Sequence, residues 1–302
     1  MLKILFLQKY CLLKKIVLIY IVGDETMSEN RIENFSSGIF IERTRMRTPN
    51  DMKQMHIHNY HELYFLLSGK RRYFIGHTIY EVCAGDLVVI PKDELHRTSH
   101  ISPQGYDRYL INFSDEYLAS LRTAFGSQRL DAFLTSGCIQ LPTEKREEIK
   151  QMFASIEHEL SNQNTGTHLM VTGKLNELII TAIRHGTPKM RVREKTVDRI
   201  QKVAQYVSSN YQNPITLSEA AKMAYLEDAY FSKQFKKITG FCFAEYLTEV
   251  RMKAALLLLT QTTLSVSEIA LECGFSGGNY FGDVFHRIFG MSPSEYRKRN
   301  AV

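Results

Sequence analysis

Apolar residues along this chain keep two different periods. Between about residue 35 and about residue 115 they fall in short β-rich runs, such as Leu63-Tyr64-Phe65-Leu66-Leu67, Arg72-Tyr73-Phe74-Ile75 and Leu87-Val88-Val89-Ile90. Gly69, Gly76, Gly85 and Pro91 punctuate these runs. Short strands separated by Gly and Pro turns predict a sandwich or barrel. From Thr143 the period becomes helical. Pro142-Thr143-Glu144-Lys145 reads as a helix start, after which Ile149, Met152, Phe153, Ile156 and Leu160 share one side. A second helix runs from about His168 to His185, with Leu169, Leu175, Leu178, Ile179 and Ile183 apolar, until Gly186-Thr187-Pro188 breaks it. Lys189 to Lys195 is basic and poor in apolar residues and reads as a linker, and the chain beyond it reads as helical throughout.

That last stretch contains a repeat. The first copy is Leu217-Ser218-Glu219-Ala220-Ala221, then Tyr230-Phe231, then Phe235-Lys236-Lys237-Ile238-Thr239-Gly240. The second is Val266-Ser267-Glu268-Ile269-Ala270, then Tyr280-Phe281, then Phe285-His286-Arg287-Ile288-Phe289-Gly290. Each reads as a short helix, a tight turn and a second helix ending at Gly. This is the layout of a helix-turn-helix, whose second helix enters the major groove of DNA. In the first copy Phe231 and Phe235 lie four apart and point inward. Ala229, Tyr230, Ser232, Lys233 and Lys236 are then left on or beside the outer face. Ser232 and Lys233 suit base edges, while Lys236 and Lys237 suit phosphate. Between the copies, Phe243 to Thr260 predicts a long helix with Tyr246, Leu247, Val250, Ala254 and Leu257 as its buried stripe. Two heads reading one face of DNA must lie about 34 Å apart.

Composition narrows this picture only slightly. Thirty-eight basic against 32 acidic residues give a formal charge of +6, which is compatible with nucleic acid without requiring it. Cys11, Cys83, Cys138, Cys242 and Cys273 are scattered and form no C-x-x-C pair. A disulfide framework or cysteine zinc site is therefore not expected, and a reducing cytoplasm is. The first 26 residues are apolar but interrupted by Lys3, Lys9, Lys14 and Lys15. Their longest clean run falls well short of the ~20 residues of a membrane span. Residues 1–26 are expected to be a non-native or disordered extension, with translation starting at Met27, and no membrane association is expected.

The C-terminal motifs resemble a known family. Ala244-Glu245-Tyr246-Leu247, Arg251, Ala254, Leu257-Leu258, Ser267-Glu268-Ile269-Ala270, Cys273-Gly274-Phe275, Tyr280-Phe281, Phe285, Phe289-Gly290 and Ser292-Pro293-Ser294-Glu295-Tyr296-Arg297 are similar to the signature of AraC/XylS-type transcription regulators. The resemblance covers about the last hundred residues. It implies two helix-turn-helix units that bind adjacent major grooves of double-stranded DNA, usually to activate transcription, with RNA polymerase as a partner. The second copy departs from the family pattern. Gly277-Gly278 opens its reading helix, Gly282 stands where Ser or Thr is frequent, and Asp283 and His286 replace basic residues. Asp283 is repelled by phosphate. The first unit is therefore expected to dominate specificity. The second is expected to contribute mainly backbone contact through Asn279, Tyr280 and Arg287, with Gly278, Asp283 and His286 also on its DNA-binding face.

His56-x-His58-x-x-x-Glu62, followed by Gly69, Gly85-Asp86, Pro91 and His96, resembles the two cupin motifs. Those motifs supply three histidines and a glutamate to a metal inside a jelly roll. The resemblance makes His56, His58, Glu62 and His96 the candidate ligands of a divalent metal, although Asp93 and His100 depart from the second motif. Regulators of this kind commonly carry a cupin-like sensor whose residues line a small-molecule pocket without catalysis. On that reading His56, His58, Glu62, Tyr64, Arg72 and His96 form the effector pocket, joined by Tyr73 and Tyr109, for a polar ligand such as a carbohydrate. No cofactor is then required, and the rival reading is a cupin metalloenzyme with a DNA-binding tail. His61 and His77 read as surface or turn residues.

The expected architecture is α+β and multidomain. A cupin-like β jelly roll occupies residues 27–140, a helical dimerisation region 141–188, a linker 189–195, and an all-α tandem helix-turn-helix domain 196–302. The expected protein is a non-catalytic, cytoplasmic, homodimeric regulator. The competing account of the two middle helices is that their apolar faces pack on the β domain.

Overall fold

The structure, a computed structural model, describes residues 30–34 (as backbone), 38–48, 58–192 and 194–300. The expected extension 1–26 and His56 lie outside the described residues. The chain divides into two compact units, the first ending at Val192 and the second following it.

The first unit is β-rich. Its strands are β1 (Asn30–Asn34), β2 (Ile39–Met46), β3 (His61–Ser68), β4 (Lys70–Ile75), β5 (Thr78–Cys83), β6 (Asp86–Ile90), β7 (His96–His100), β8 (Tyr106–Phe113), β9 (Gly137–Gln140) and β10 (Thr187–Pro188). They form a seven-stranded sheet in the order β1-β2-β8-β3-β6-β9-β10 and a three-stranded sheet in the order β5-β4-β7. All pairings among the described strands are antiparallel. Tyr64, Leu66, Val88, Ile90 and Leu110 of the large sheet meet Tyr73, Ile75 and Val82 of the small one. Two facing antiparallel sheets around this interior make the sandwich that the run pattern predicts, as the cupin-like motif resemblance also implies.

The opposite face of the large sheet is covered by helices. A 3₁₀ turn at Asp115–Leu118 leads into α1 (Ala119–Phe125) and α2 (Ser127–Leu134), and after β9 come α3 (Thr143–Asn162) and α4 (Thr167–His185). Ile149, Phe153 and Ile156 of α3, with Val171, Leu175 and Ile179 of α4, are buried against Leu63, Phe65, Tyr109 and Ile111. The stripes expected on these helices are thus spent on the sheet. Leu169, placed on that stripe by the sequence pattern, is 77% exposed, and Met170 beside it is 51% exposed. The buried face of α4 starts at Val171.

The second unit is helical: α5 (Lys195–Asn210), α6 (Leu217–Met223), α7 (Asp228–Thr239), α8 (Phe243–Gln261), α9 (Val266–Glu272), α10 (Gly278–Phe289) and α11 (Pro293–Asn300). Local signals set the helix starts. Thr216 and Glu219 form a reciprocal capping box at α6, Ser265 and Glu268 one at α9, and Ser292 and Glu295 exchange the same bonds at α11. The two copies pack alike, with Phe231 and Phe235 rings 5.4 Å apart in the first and Phe281 and Phe285 rings 5.6 Å apart in the second. Arg251 closes the first by donating to the Tyr211 and Asn213 carbonyls at 2.8 and 2.9 Å. Arg297 closes the second on the Leu259 and Leu264 carbonyls at 3.2 and 2.6 Å.

Helix α8 corrects one expectation. Tyr246, Leu247 and Val250 are buried as predicted, but the buried face then moves to Met252, Ala255, Leu256 and Leu259, leaving Ala254 half-buried and Leu257 42% exposed. A helix shared by two cores has to turn one face to each.

Candidate functional site

The outer faces of α7 and α10 are polar because their inner faces are filled. On α7, Phe231, Phe235 and Ile238 are buried, while Ala229, Tyr230, Lys233, Lys236 and Lys237 are exposed and Ser232 is half-buried. On α10, Phe281, Val284, Phe285 and Phe289 are buried; Asn279, Tyr280, Asp283, His286 and Arg287 are exposed and Gly278 is half-buried. Every candidate DNA-contacting side chain with a charge is therefore solvent-facing. The two faces differ in charge: α7 offers Lys233, Lys236 and Lys237, while α10 offers Arg287 opposed by Asp283.

In the β unit, strand parity sorts the remaining candidates. Glu62 and Tyr64 of β3 and His96 of β7 face the interior and are buried. His58 precedes β3 and joins them, with its Nε2 3.3 Å from Glu62 Oε2. His96 Nε2 lies 3.9 Å from the same oxygen, and the two imidazole centroids are 5.0 Å apart. Arg72 is not in this group. It lies on β4 between the interior residues Arg71 and Tyr73 and pairs outward with Glu81 at 3.2 Å. Adjacent residues on a strand cannot both face inward. Tyr109 fails for the same reason: its ring packs toward α3, where its hydroxyl donates to Glu157 at 3.1 Å.

Parity also brings in residues the motif reading passed over. Arg71 is buried, donates to Thr98 Oγ1 at 3.2 Å and stacks 4.2 Å from the centre of the Tyr106 ring. Arg108 of β8 donates to Glu42 at 3.0 Å and lies 5.6 Å from the Tyr64 ring centre. The signal was present in the alternation Arg71, Tyr73, Ile75. His61, expected at the surface or in a turn, is instead 3% exposed on β3. Its Nδ1 accepts from the Lys92 amide at 3.2 Å and its Nε2 donates to Asp115 at 3.0 Å. His77 is an exposed turn residue.

The electrostatics of the interior are uneven. Burial would raise the Glu62 carboxyl, but His58, His96 and Arg108 outweigh it and hold the pKa down to about 2. Burial lowers His96 to about 4, so its imidazole is neutral at pH 7, whereas burial of His58 is overcome by Glu62 and its pKa is raised. Both imidazoles donate their Nδ1–H to a backbone carbonyl, His58 to Tyr60 at 2.8 Å and His96 to Glu94 at 2.9 Å. The Glu62 carboxylate accepts from His58 Nε2–H, while neutral His96 keeps an Nε2 lone pair on the side of the same carboxylate. The ligand atoms of His58, Glu62 and His96 lie within 4.8 Å of one another. The donor set and its carbonyl second shell fit a divalent transition metal. Glu62 Oε1, the Tyr64 hydroxyl and Arg108 Nη1 are buried and have no hydrogen-bond partner among the described residues.

A ligand-receiving β unit joined to a pair of DNA-reading heads defines a transcription regulator. Residues 39–179 match the AraC-like ligand binding domain and residues 220–299 match a helix-turn-helix domain. The chain belongs to the AraC/XylS-type transcription regulators. It is 25% identical over 256 residues to the HTH-type transcriptional activator RhaR of Escherichia coli (strain K12), covering 84% of this chain and 90% of that one. Among solved structures, the C-terminal domain of AraT, a response regulator from Geobacillus stearothermophilus, is 28% identical, covers 36% of this chain and 91% of its own, and has a TM-score of 0.35. ToxT from Vibrio cholerae O395 is 14% identical, covers 87% of this chain and 98% of its own, and has a TM-score of 0.35. No helix among the described residues is long and apolar enough to cross a membrane.

Proposed function

We propose that the protein is a cytoplasmic, homodimeric, non-catalytic activator. On this reading it reads paired half-sites through α7 and α10 and responds to a polyhydroxylated effector, a carbohydrate, inside the β unit. The observation that carries the DNA reading is the outer face of α7, where Ser232, Lys233, Lys236 and Lys237 stand over a filled Phe231–Phe235 stripe. Ser232 and Lys233 take base edges. Lys236 and Lys237 take phosphates, as do Asn279, Tyr280 and Arg287 of the second head, with Ala229, Tyr230, Gly278, Asp283 and His286 lining the approach. The activator role, and with it contact to RNA polymerase, is supported by the name of the relative RhaR. Exposed Leu169 and Met170 on α4 support a surface for the second copy.

The effector class follows from the unsatisfied interior groups. Glu62 Oε1 can accept from a ligand hydroxyl, Arg108 Nη1 can donate to a ligand oxygen, and the Tyr64 hydroxyl can do either. A molecule carrying many hydroxyls satisfies all three. A divalent cation at His58, Glu62 and His96 is the second reading, favoured by two imidazole Nε2 atoms and a carboxylate within 4.8 Å of one another, with the cation taking the place of the His58 Nε2 proton. Such an ion would supply a Lewis-acidic centre for ligand oxygens.

The test is selection of genomic DNA fragments by the purified full-length chain. A discrete site of about two turns per protomer supports the reading. Weak, salt-sensitive binding without sequence preference, with and without a panel of sugars, counts against it. Elemental analysis of the same preparation separates the two readings of the interior, since near-stoichiometric metal supports only the second.

A further inference from the structure

The segment that leaves the β unit is fastened to it. Thr187 and Pro188 pair with Gln140 and Ile139 as the edge strand β10. The Lys189 amide donates to the Cys138 carbonyl at 2.8 Å and the Val192 amide to the Ile79 carbonyl at 3.1 Å. The segment thus runs from β9 of the large sheet to β5 of the small one. Lys189 Nζ also pairs with Asp86, whose side chain is 3% exposed and which accepts from the Cys83 amide at 2.7 Å. Gly186 admits the chain to the sheet, because a Cβ there would lie 2.3 Å from Ile139 Cγ2.

Backbone bonds and one ion pair hold this segment, with little apolar burial. Thr187, Pro188, Met190 and Arg191 are exposed. Pro188 has no N–H to give. A piece with few buried apolar contacts opens locally without unfolding the rest. Its anchor is also part of the interior. The Cys138 side chain packs in one cluster with Tyr64, Tyr73 and Val88, while its carbonyl holds Lys189. A change in the wall of the interior therefore reaches the anchor directly.

We infer that residues 187–192 are a releasable strap through which the interior of the β unit sets the reach of the DNA-reading unit. Fastened, the strap leaves only residues 193 and 194 between its last bond, at Val192, and the start of α5 at Lys195. Released, residues 187–194 become a tether that spans up to about 28 Å, enough to change which half-site spacings a dimer can occupy. The trigger rests on the interior being the effector site, and the spacing readout on the protein being a dimeric DNA reader. The strap itself rests on neither.

The experiment uses the full-length chain with Lys189→Met, Asp86→Asn and the double variant. Asp86→Asn keeps an acceptor for the Cys83 amide. Trypsin cleavage after Arg191 is followed by mass, with thermal melting as the control for folding. Binding is measured to the selected operator and to versions with about five base pairs, half a turn, inserted between half-sites. Cleavage of each variant is expected to be on the order of tenfold faster than wild type, and no faster in the double variant. Melting is expected to stay within a few degrees, and the insertion to be tolerated only by the variants. Lys189→Arg, which keeps the ion pair, is expected to behave as wild type. Wild-type cleavage rates in folded variants overturn the strap. Faster cleavage with an unchanged spacing penalty overturns its role in reach. If no form binds DNA, the regulator reading fails, and the cleavage rates still decide whether the strap opens.

Discussion

Tyr225 and Gly274 occupy the same step of the two helix-turn-helix turns, and both hold a positive φ, 55° and 78°. Left-handed backbone costs a side chain roughly 1–2 kcal/mol. The two sites nevertheless differ in what surrounds them. The Tyr225 ring is 81% exposed, with the Arg199 guanidinium 5.7 Å from its centre. A Cβ at Gly274 would lie 2.6 Å from the Gln212 carbonyl and 2.7 Å from that of Tyr211. Tyr225→Gly is expected to leave stability unchanged or raise it by up to about 1 kcal/mol. Gly274→Ala is expected to cost at least about 2 kcal/mol, since backbone has to move as well. Denaturant unfolding of the two variants checks both signs, and equal effects would contradict the account.

Gly282 has an ordinary helical setting with nothing within 4 Å of the Cβ it lacks. Gly282→Ala is therefore expected to stabilise the second head by about 0.5–1 kcal/mol through helix propensity alone. Thermal melting reads this. A lower melting temperature would mean that the open face of α10 is needed by the fold itself.

Removing a cation from the first head should hurt more than altering the second. Lys233→Ala is expected to weaken operator binding roughly tenfold and to relax preference at one position. Lys236→Ala should weaken all sequences alike and reduce the salt slope by about one. Asp283→Asn should bind as tightly as wild type or more so. Footprinting and anisotropy across a salt series make the comparison, and a larger loss at Asp283 than at Lys233 would reverse the assignment of the dominant head.

Glu249 of α8 carries a pKa pushed up to about 7, by burial first, with Arg287 opposing and Glu245 reinforcing the shift. A carboxyl whose folded pKa exceeds its unfolded value of about 4.3 holds a proton that the unfolded chain has released. Its contribution is complete below the unfolded pKa and is lost as pH rises toward 7. Glu249→Gln is expected to flatten stability between about pH 4.5 and 7.5 and to gain roughly 1–3 kcal/mol at pH 8. Urea titrations at several pH values decide it, and parallel pH profiles for both proteins would refute the assignment.

The helical half was the more legible in sequence. Its helix starts are written within three residues of one another, as in Thr216 with Glu219, and its buried phenylalanines recur at helical spacing in both copies. Leu257 was misplaced because one helix serves two cores, a tertiary fact with no local sign. In the β half the existence of strands was legible, but the short strand β9, the helices α1 and α2, and the docking of Lys189 were not. Their partners lie far away in sequence. The motif pattern names His58, Glu62 and His96, whose ligand atoms lie within 4.8 Å of one another in the interior. Applying strand parity to Tyr73 would have exchanged Arg72 for Arg71.

The helix starts have a kinetic consequence. Each box joins residues three apart, so the helices of the second unit form from local contacts, whereas Arg43 and Asp107, which pair across β2 and β8 at 3.0 Å, are separated by 64 positions. Chains rich in local contacts fold faster than those that must first close long loops. On dilution from denaturant, the surface that reads DNA should return before the sandwich of the β unit, so that the youngest molecules in the tube bind without yet being able to listen.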